Sequence, residues 1–133
     1  MLVLPELHVM VGVLHDSSGR VLIAERPAGR HMAGHWEFPG GKLHHGERPW
    51  DGLVRELAEE LGITAIAGRP LLRLRHRYPD REVLLDTWLI TEFRGTPHGR
   101  DGQRLDWAHL EEIMSRGLLE ADRPIVAALR RSS

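Results

Sequence analysis

Cysteine is absent from the 133 residues, and aromatics are scarce, with four tryptophans, two phenylalanines and one tyrosine. Without cysteine there is no disulfide, no thiolate nucleophile and no Cys-based zinc site. That composition suits a reducing compartment, and a cytoplasmic location is expected. Charge of one sign is lacking too. Eighteen Lys and Arg face nineteen Asp and Glu for a net −1, with no long block of like charges. A grip on polymeric nucleic acid is therefore not expected. No apolar run approaches the roughly 18 residues that span a bilayer, so no membrane partner is expected. Met1 to Leu14 is fairly apolar but carries Pro5, Glu6 and His8 and lacks a basic start. A signal peptide is accordingly not expected.

What is present fits one domain, residues 1–133, because a chain of this length supports a single hydrophobic core. Val9, Val11 and Val13 alternate along a strand from His8 to Leu14. Asp16-Ser17-Ser18-Gly19 reads as a turn into a second strand, Arg20 to Glu25, giving a hairpin. A loop from Pro27 to His35 precedes a short strand at Trp36–Phe38, stopped by Pro39-Gly40-Gly41. Trp36 and Phe38 read as core anchors. The clearest helix runs from Pro49 to Leu61, striped by Trp50, Leu53, Leu57 and Leu61 and stopped by Gly62. Leu71–Arg77 and Glu82–Phe93 read as strands around a Tyr78–Arg81 turn. A polar loop from Gly95 to Gln103 and helices over Trp107–Arg116 and Arg123–Arg130 complete the chain. This order predicts an α/β fold with a mixed β-sheet sandwiched between α-helices.

The chemistry is concentrated between Gly41 and Ile63. Glu56, Glu59 and Glu60 fall within roughly a 100° arc of the helix, beside the leucine stripe. Carboxylates at this spacing repel by about 3 kcal/mol per pair at an effective dielectric near 20. Water screens that repulsion on a solvated face. A hard divalent cation removes it, and oxygen-only ligands favour Mg²⁺, with Mn²⁺ able to substitute. His31, His35, His44 and His45 cluster around the preceding loop. They lack a third ligand at zinc spacing and read as polar loop residues.

Gly41, Glu47, Arg55-Glu56-Leu57, Glu59-Glu60 and Gly62-Ile63 together resemble the Nudix box, and all nine positions match. The wider runs Arg26-Pro27, His31-Met32-Ala33 and Glu37-Phe38-Pro39-Gly40-Gly41-Lys42 resemble the MutT-like members of that family. So do Tyr78-Pro79-Asp80-Arg81, Gly95 to Gln103, and Ala121-Asp122-Arg123-Pro124-Ile125-Val126. The resemblance implies an enzyme that cleaves a nucleoside triphosphate into a monophosphate and pyrophosphate, with 8-oxo-dGTP as the first expected substrate. CTP or a modified dCTP is the alternative, and a non-catalytic nucleotide-binding module the third reading.

The same resemblance implies that Glu56, Glu59 and Glu60 bind the metal and activate water, helped by the Gly40 carbonyl and, further out, by Asp101. The family commonly has Glu where Asp101 stands. Arg26 is expected at the triphosphate and Arg81 along the nucleoside, with His31 and Lys42 as further substrate-binding residues. Glu47 and Arg55 are expected as a structural ion pair, with Gly41 and Gly62 shaping the box. Asp122 is the main departure, since the 8-oxo-dGTP-hydrolysing members carry Asn there to read the base, whereas MutT-like relatives that resemble CTP or modified-dCTP pyrophosphohydrolases carry Asp. An ionised carboxylate only accepts hydrogen bonds, whereas an amide also donates. Capping of the last helix is the other reading of Asp122. The sequence leaves open the base, the number of metal ions, and whether the protein is a monomer or a homodimer.

Overall fold

The structure, a computed structural model, describes residues 5–132. Met1 to Leu4, part of the segment read above for a leader, lie outside the described residues. The described residues form β1 (Glu6–Leu14), β2 (Val21–Glu25), β3 (Trp36–Glu37), β4 (Gly40–Lys42), α1 (Pro49–Leu61), β5 (Thr64–Tyr78), β6 (Arg81–Arg94), β7 (Leu105–Ala108), α2 (Leu110–Ile113) and α3 (Arg123–Ser132). A four-stranded mixed sheet has the order β4-β1-β6-β5, with only β1 and β6 parallel. A smaller antiparallel sheet has the order β3-β2-β7. The α/β class and the mixed sheet read from the sequence are thus present.

Alternation along β1 explains why helices lie on both sides. Val11 and Val13 join a core with Phe38, Ile113, Ile125 and Leu129, and so with α2 and α3. Met10 and Leu14 join a second core with Leu53, Leu57 and Leu61 of α1. The period of two on the strand meets the period of 3.6 on the helix. Each of the three α1 leucines is fully buried, which contributes about 1.5–3 kcal/mol apiece. That burial holds the acidic face of α1 over β4.

Pro49 opens α1 at its first turn, where a missing N–H is harmless. Gly62 closes it in the left-handed region at φ 68°, its N–H donating to the Ala58 carbonyl. A Cβ at this position would also run into the His98 ring. Gly62→Ala is therefore expected to lower stability by about 1–2 kcal/mol. Urea unfolding checks this, and an unchanged midpoint would mean the cap tolerates a side chain.

Four sequence readings are corrected by the tertiary structure. The β1–β2 turn exists, but the two strands do not pair as a hairpin; only an isolated His15–Val21 bridge joins them. Both edges of β1 are already taken by β4 and β6, so β2 enters the other sheet. Pro39-Gly40-Gly41 was read as a strand stop, but Gly40–Lys42 is itself a strand paired with Val9–Val11. β5 begins at Thr64 rather than Leu71, its period hidden by register shifts around Ala65–Gly68 and Pro70. Such irregularity, and a proline, are tolerated because β5 is an edge strand. Trp107 lies in β7 opposite Leu22, not in a helix, and α2 is only four residues long. Pairing with the free edge of β2 overrides the local helical pattern there.

Candidate active site

The site begins where β4 passes under α1. Arg55 Nε and Nη2 meet the two oxygens of Glu47 at 2.7 and 3.0 Å, a forked ion pair. Glu47 also accepts the His44 N–H at 2.9 Å. These donors, the guanidinium first, pull the Glu47 carboxyl down to about 2. Nη2 of Arg55 also donates to the Lys42 carbonyl at 3.0 Å, tying α1 to β4. The pair expected between Arg55 and Glu47 is therefore present. What the sequence did not indicate is that Arg55 Nη1 also holds Glu56 at 2.9 Å and Glu59 at 3.1 Å.

The three helix carboxylates have different surroundings. Glu59 is largely exposed, while Glu56 packs against Gly41 so closely that any Cβ on Gly41 would overlap its carboxylate. Glu60 turns inward and accepts the Gly40 N–H at 3.3 Å. Burial, followed by the charges of Glu56, Glu37 and Asp101, pushes its carboxyl up to about 8. Asp101 is close because its loop docks on the end of α1. Arg100 N–H and Gln103 Nε2 both donate to the Glu60 carbonyl, and Arg100 Nη1 to that of Ala58. Loop donors thus satisfy the Glu60 carbonyl that the helix end leaves free, and add a second bond to the Ala58 carbonyl that Gly62 already occupies.

Among the described residues, no three of His, Asp and Glu are already placed to close on one metal ion. That holds for the acidic helix as for the histidine-rich loop. The donor chemistry nonetheless fits a hard divalent cation. It is oxygen-only, and negative charge accumulates around a half-buried carboxyl that it drives toward the neutral form.

Beside Glu60 lies a cavity of about 350 Å³. Arg26, Lys42, Arg81, Gly40 and Gly41 line it, and Asp122 stands in its wall. Arg81 lies over the Tyr78 ring, 5.5 Å from its centre. Leu7, Val83, Leu85 and Leu119 supply an apolar surface suited to a flat ring. Asp122 is buried, and its Oδ2 accepts the Phe38 N–H at 2.9 Å. Burial first, and then Glu37, push its carboxyl up to about 7 against the pull of Phe38 N–H and Arg26. Its hydrogen bond goes to β3–β4 backbone rather than to an amide of α3, unlike a helix cap.

Of the expected metal ligands only Gly40 and Glu60 line this cavity, Glu56, Glu59 and Asp101 lying outside its lining, and of the expected substrate-binding residues His31 is the one that does not reach it by its side chain. It contributes its carbonyl, which accepts from Arg26 Nη1 at 3.1 Å. Two charged cavity residues were given no role from the sequence, Glu37 and Arg30. Glu37 is one residue from the buried Phe38 on an alternating strand, a position that faces away from the core. Arg30 carries no such signal within its glycine-flanked loop.

An acidic helix beneath a nucleotide-sized, arginine-lined cavity defines a protein built to handle polyphosphate. The chain belongs to the Nudix family: residues 10–128 match its domain. It is 36% identical to the 8-oxo-dGTP diphosphatase of Escherichia coli K12, covering 95% of this chain and 98% of that protein. It is 37% identical to the CTP pyrophosphohydrolase of the same organism, covering 90% and 88%. Among solved structures, MutT from a study of Aliivibrio salmonicida and Vibrio cholerae superposes with a TM-score of 0.83. There the identity is 32%, over 96% of this chain and 99% of the other.

Proposed function

We propose that this Nudix hydrolase, acting as one domain in the cytoplasm, is a Mg²⁺-dependent nucleoside triphosphate pyrophosphohydrolase. Its substrate is 8-oxo-dGTP, its products are the monophosphate and pyrophosphate, and its role is to clear an oxidised precursor of DNA. The observation that carries this reading is a single cavity lined both by Glu60 of the acidic helix and by buried Asp122. Arg26, Lys42 and Arg81 lie along it. A base and a chain of phosphates call for that combination of a buried polar group, cations and a metal-holding carboxylate. The likeness to the E. coli 8-oxo-dGTP diphosphatase supports it.

Glu56, Glu59, Glu60 and the Gly40 carbonyl would hold the cation, with Asp101 further out. When bound, Mg²⁺ offsets charge on the phosphate oxygens and lowers the pKa of water. One carboxylate of the helix accepts the proton of the attacking water. Arg55 and Glu47 keep α1 and β4 in register. Arg26 spends Nη1 on the His31 carbonyl. Its Nε is buried 3.3 Å from Glu37 Oε1, which leaves Nη2 for a phosphate oxygen.

One observation favours a second base. Asp122 has Oδ2 occupied by Phe38 N–H, which leaves Oδ1 for the ligand. Ionised, that oxygen accepts from the amino group of cytosine, in keeping with the likeness to a CTP pyrophosphohydrolase. A panel of triphosphates, assayed for pyrophosphate and ranked by kcat/KM, tests both readings. The expected result is 8-oxo-dGTP first. CTP or a modified dCTP in first place would transfer the assignment, and no pyrophosphate from any triphosphate would end it.

A further inference from the structure

The nucleotide cavity does not end at Glu60. A narrow second cavity opens beyond it, walled in part by Glu25, Asp101 and Gln103. Pro27, Arg30, Glu37 and Glu60 line both spaces and mark the junction between them. The two sides differ in charge. Arg26, Lys42 and Arg81 line the first cavity only. The second carries four carboxylates, from Glu25, Glu37, Glu60 and Asp101, and Arg30 is the one cation among its described lining residues.

Arg30 is held at that junction by its loop. Its N–H donates to the Pro27 carbonyl at 3.3 Å, its own carbonyl accepts from Ala33 N–H, and Arg26 fixes the adjoining His31 carbonyl. Its charge acts on Glu37, as does that of Arg26, whose Nε lies 3.3 Å from Glu37 Oε1. Unlike Arg26, the Arg30 guanidinium has no hydrogen bond or close ion pair among the described residues. Five N–H donors in a planar fork are thus unspent at the mouth of an acidic space. A guanidinium fork matches the oxygens of a phosphate.

We propose that Arg30 binds the pyrophosphate half of the substrate, at the point where the phosphate chain leaves the nucleoside cavity and enters the acidic one. This rests on the triphosphate pyrophosphohydrolase reading above. The nucleoside needs the larger cavity with Asp122, so the distal phosphates extend toward Glu60 and Asp101. Arg30 is the protein cation that meets them there. Arg26, confined to the first cavity, serves the phosphate nearest the nucleoside.

The proposal predicts a split between the two products. In Arg30→Ala the binding of Mg²⁺-pyrophosphate, measured by calorimetry and as a product-inhibition constant, weakens about tenfold or more. KM for the triphosphate rises by a similar factor, kcat changes less than about threefold, and inhibition by the monophosphate is unchanged. Arg30→Lys keeps the charge without the fork and falls between. Arg69→Ala, which removes the same charge from the β5 edge, leaves all four constants alone. The assignment is overturned if pyrophosphate affinity is unchanged, if both products weaken equally, if Arg69→Ala matches Arg30→Ala, or if the parent protein binds no pyrophosphate. Calorimetry with pyrophosphate needs no turnover. If the parent hydrolyses triphosphates while Arg30→Ala is silent, only this assignment falls; if the parent releases no pyrophosphate, the functional reading falls.

Discussion

Glu60→Gln is expected to lower kcat by about a thousandfold, the scale of losing a proton acceptor or metal-holding carboxylate. The side chain keeps its length, so its oxygen still accepts the Gly40 N–H that the carboxylate accepts at 3.3 Å. It also takes a charge out of a half-buried position crowded by Glu56, Glu37 and Asp101. The variant should therefore fold as well as the parent, and lost turnover cannot be ascribed to unfolding. A second readout separates a metal role from a purely structural one. A cation at about a hundred times its Kd adds about 2.7 kcal/mol to the parent, roughly 10 °C in Tm for a chain of this size. That gain should be largely lost in Glu60→Gln. Undiminished Mg²⁺-dependent turnover and an intact metal-induced Tm shift would remove Glu60 from the metal site.

Asp122→Asn carries the second large effect, in stability and in base choice together. Burial keeps this carboxyl protonated to about pH 7, against an ordinary value of 3.8. Between those values the folded chain binds more protons than the unfolded one, so stability falls as pH rises through that window. The penalty is complete above about pH 7 and amounts to a few kcal/mol. Asparagine has no such penalty and its oxygen can keep the Phe38 N–H bond. The variant should melt several degrees above the parent at about pH 8, with the difference closing toward about pH 4. Equal Tm values at both pH values would show that Asp122 is not buried as an acid.

Base choice follows from the same geometry. In Asp122→Asn the amide oxygen stays with Phe38 N–H and the NH₂ turns to the ligand, a donor where ionised Asp122 offers the Oδ1 acceptor. Substrates presenting an amino group there lose, and those presenting a carbonyl gain. The kcat/KM ratio of cytosine to uracil triphosphate should fall about tenfold or more. The parent protein at about pH 6, with Asp122 mostly protonated, should move the same way. A ranking unaffected by either change would place base recognition elsewhere in the cavity.

The parts legible in the sequence are those whose signal is local. Glu56, Glu59 and Glu60 share an arc because the helix repeats every 3.6 residues, and the leucines beside them say which face is buried. Gly62 as a stop was equally readable, since it adjoins the helix it ends, while the Glu47–Arg55 pair was implied by the family resemblance. The errors fell where an element's neighbours were distant. Trp107 is strand because Leu22 lies opposite it, and β2 leaves β1 because β6 arrives from far along the chain, pairing Glu6 with Glu82.

Family, fold class and acidic helix therefore follow from the amino-acid order alone, because period and spacing are properties of a short segment. How the acids are shared with Arg55, which oxygen of Asp122 is free, and that Arg30 stands between two cavities are decided only in three dimensions. Asp122 and Phe38 are separated by 84 residues. No local pattern carries such a contact; burial brings the partners together, and the same burial sets their charge.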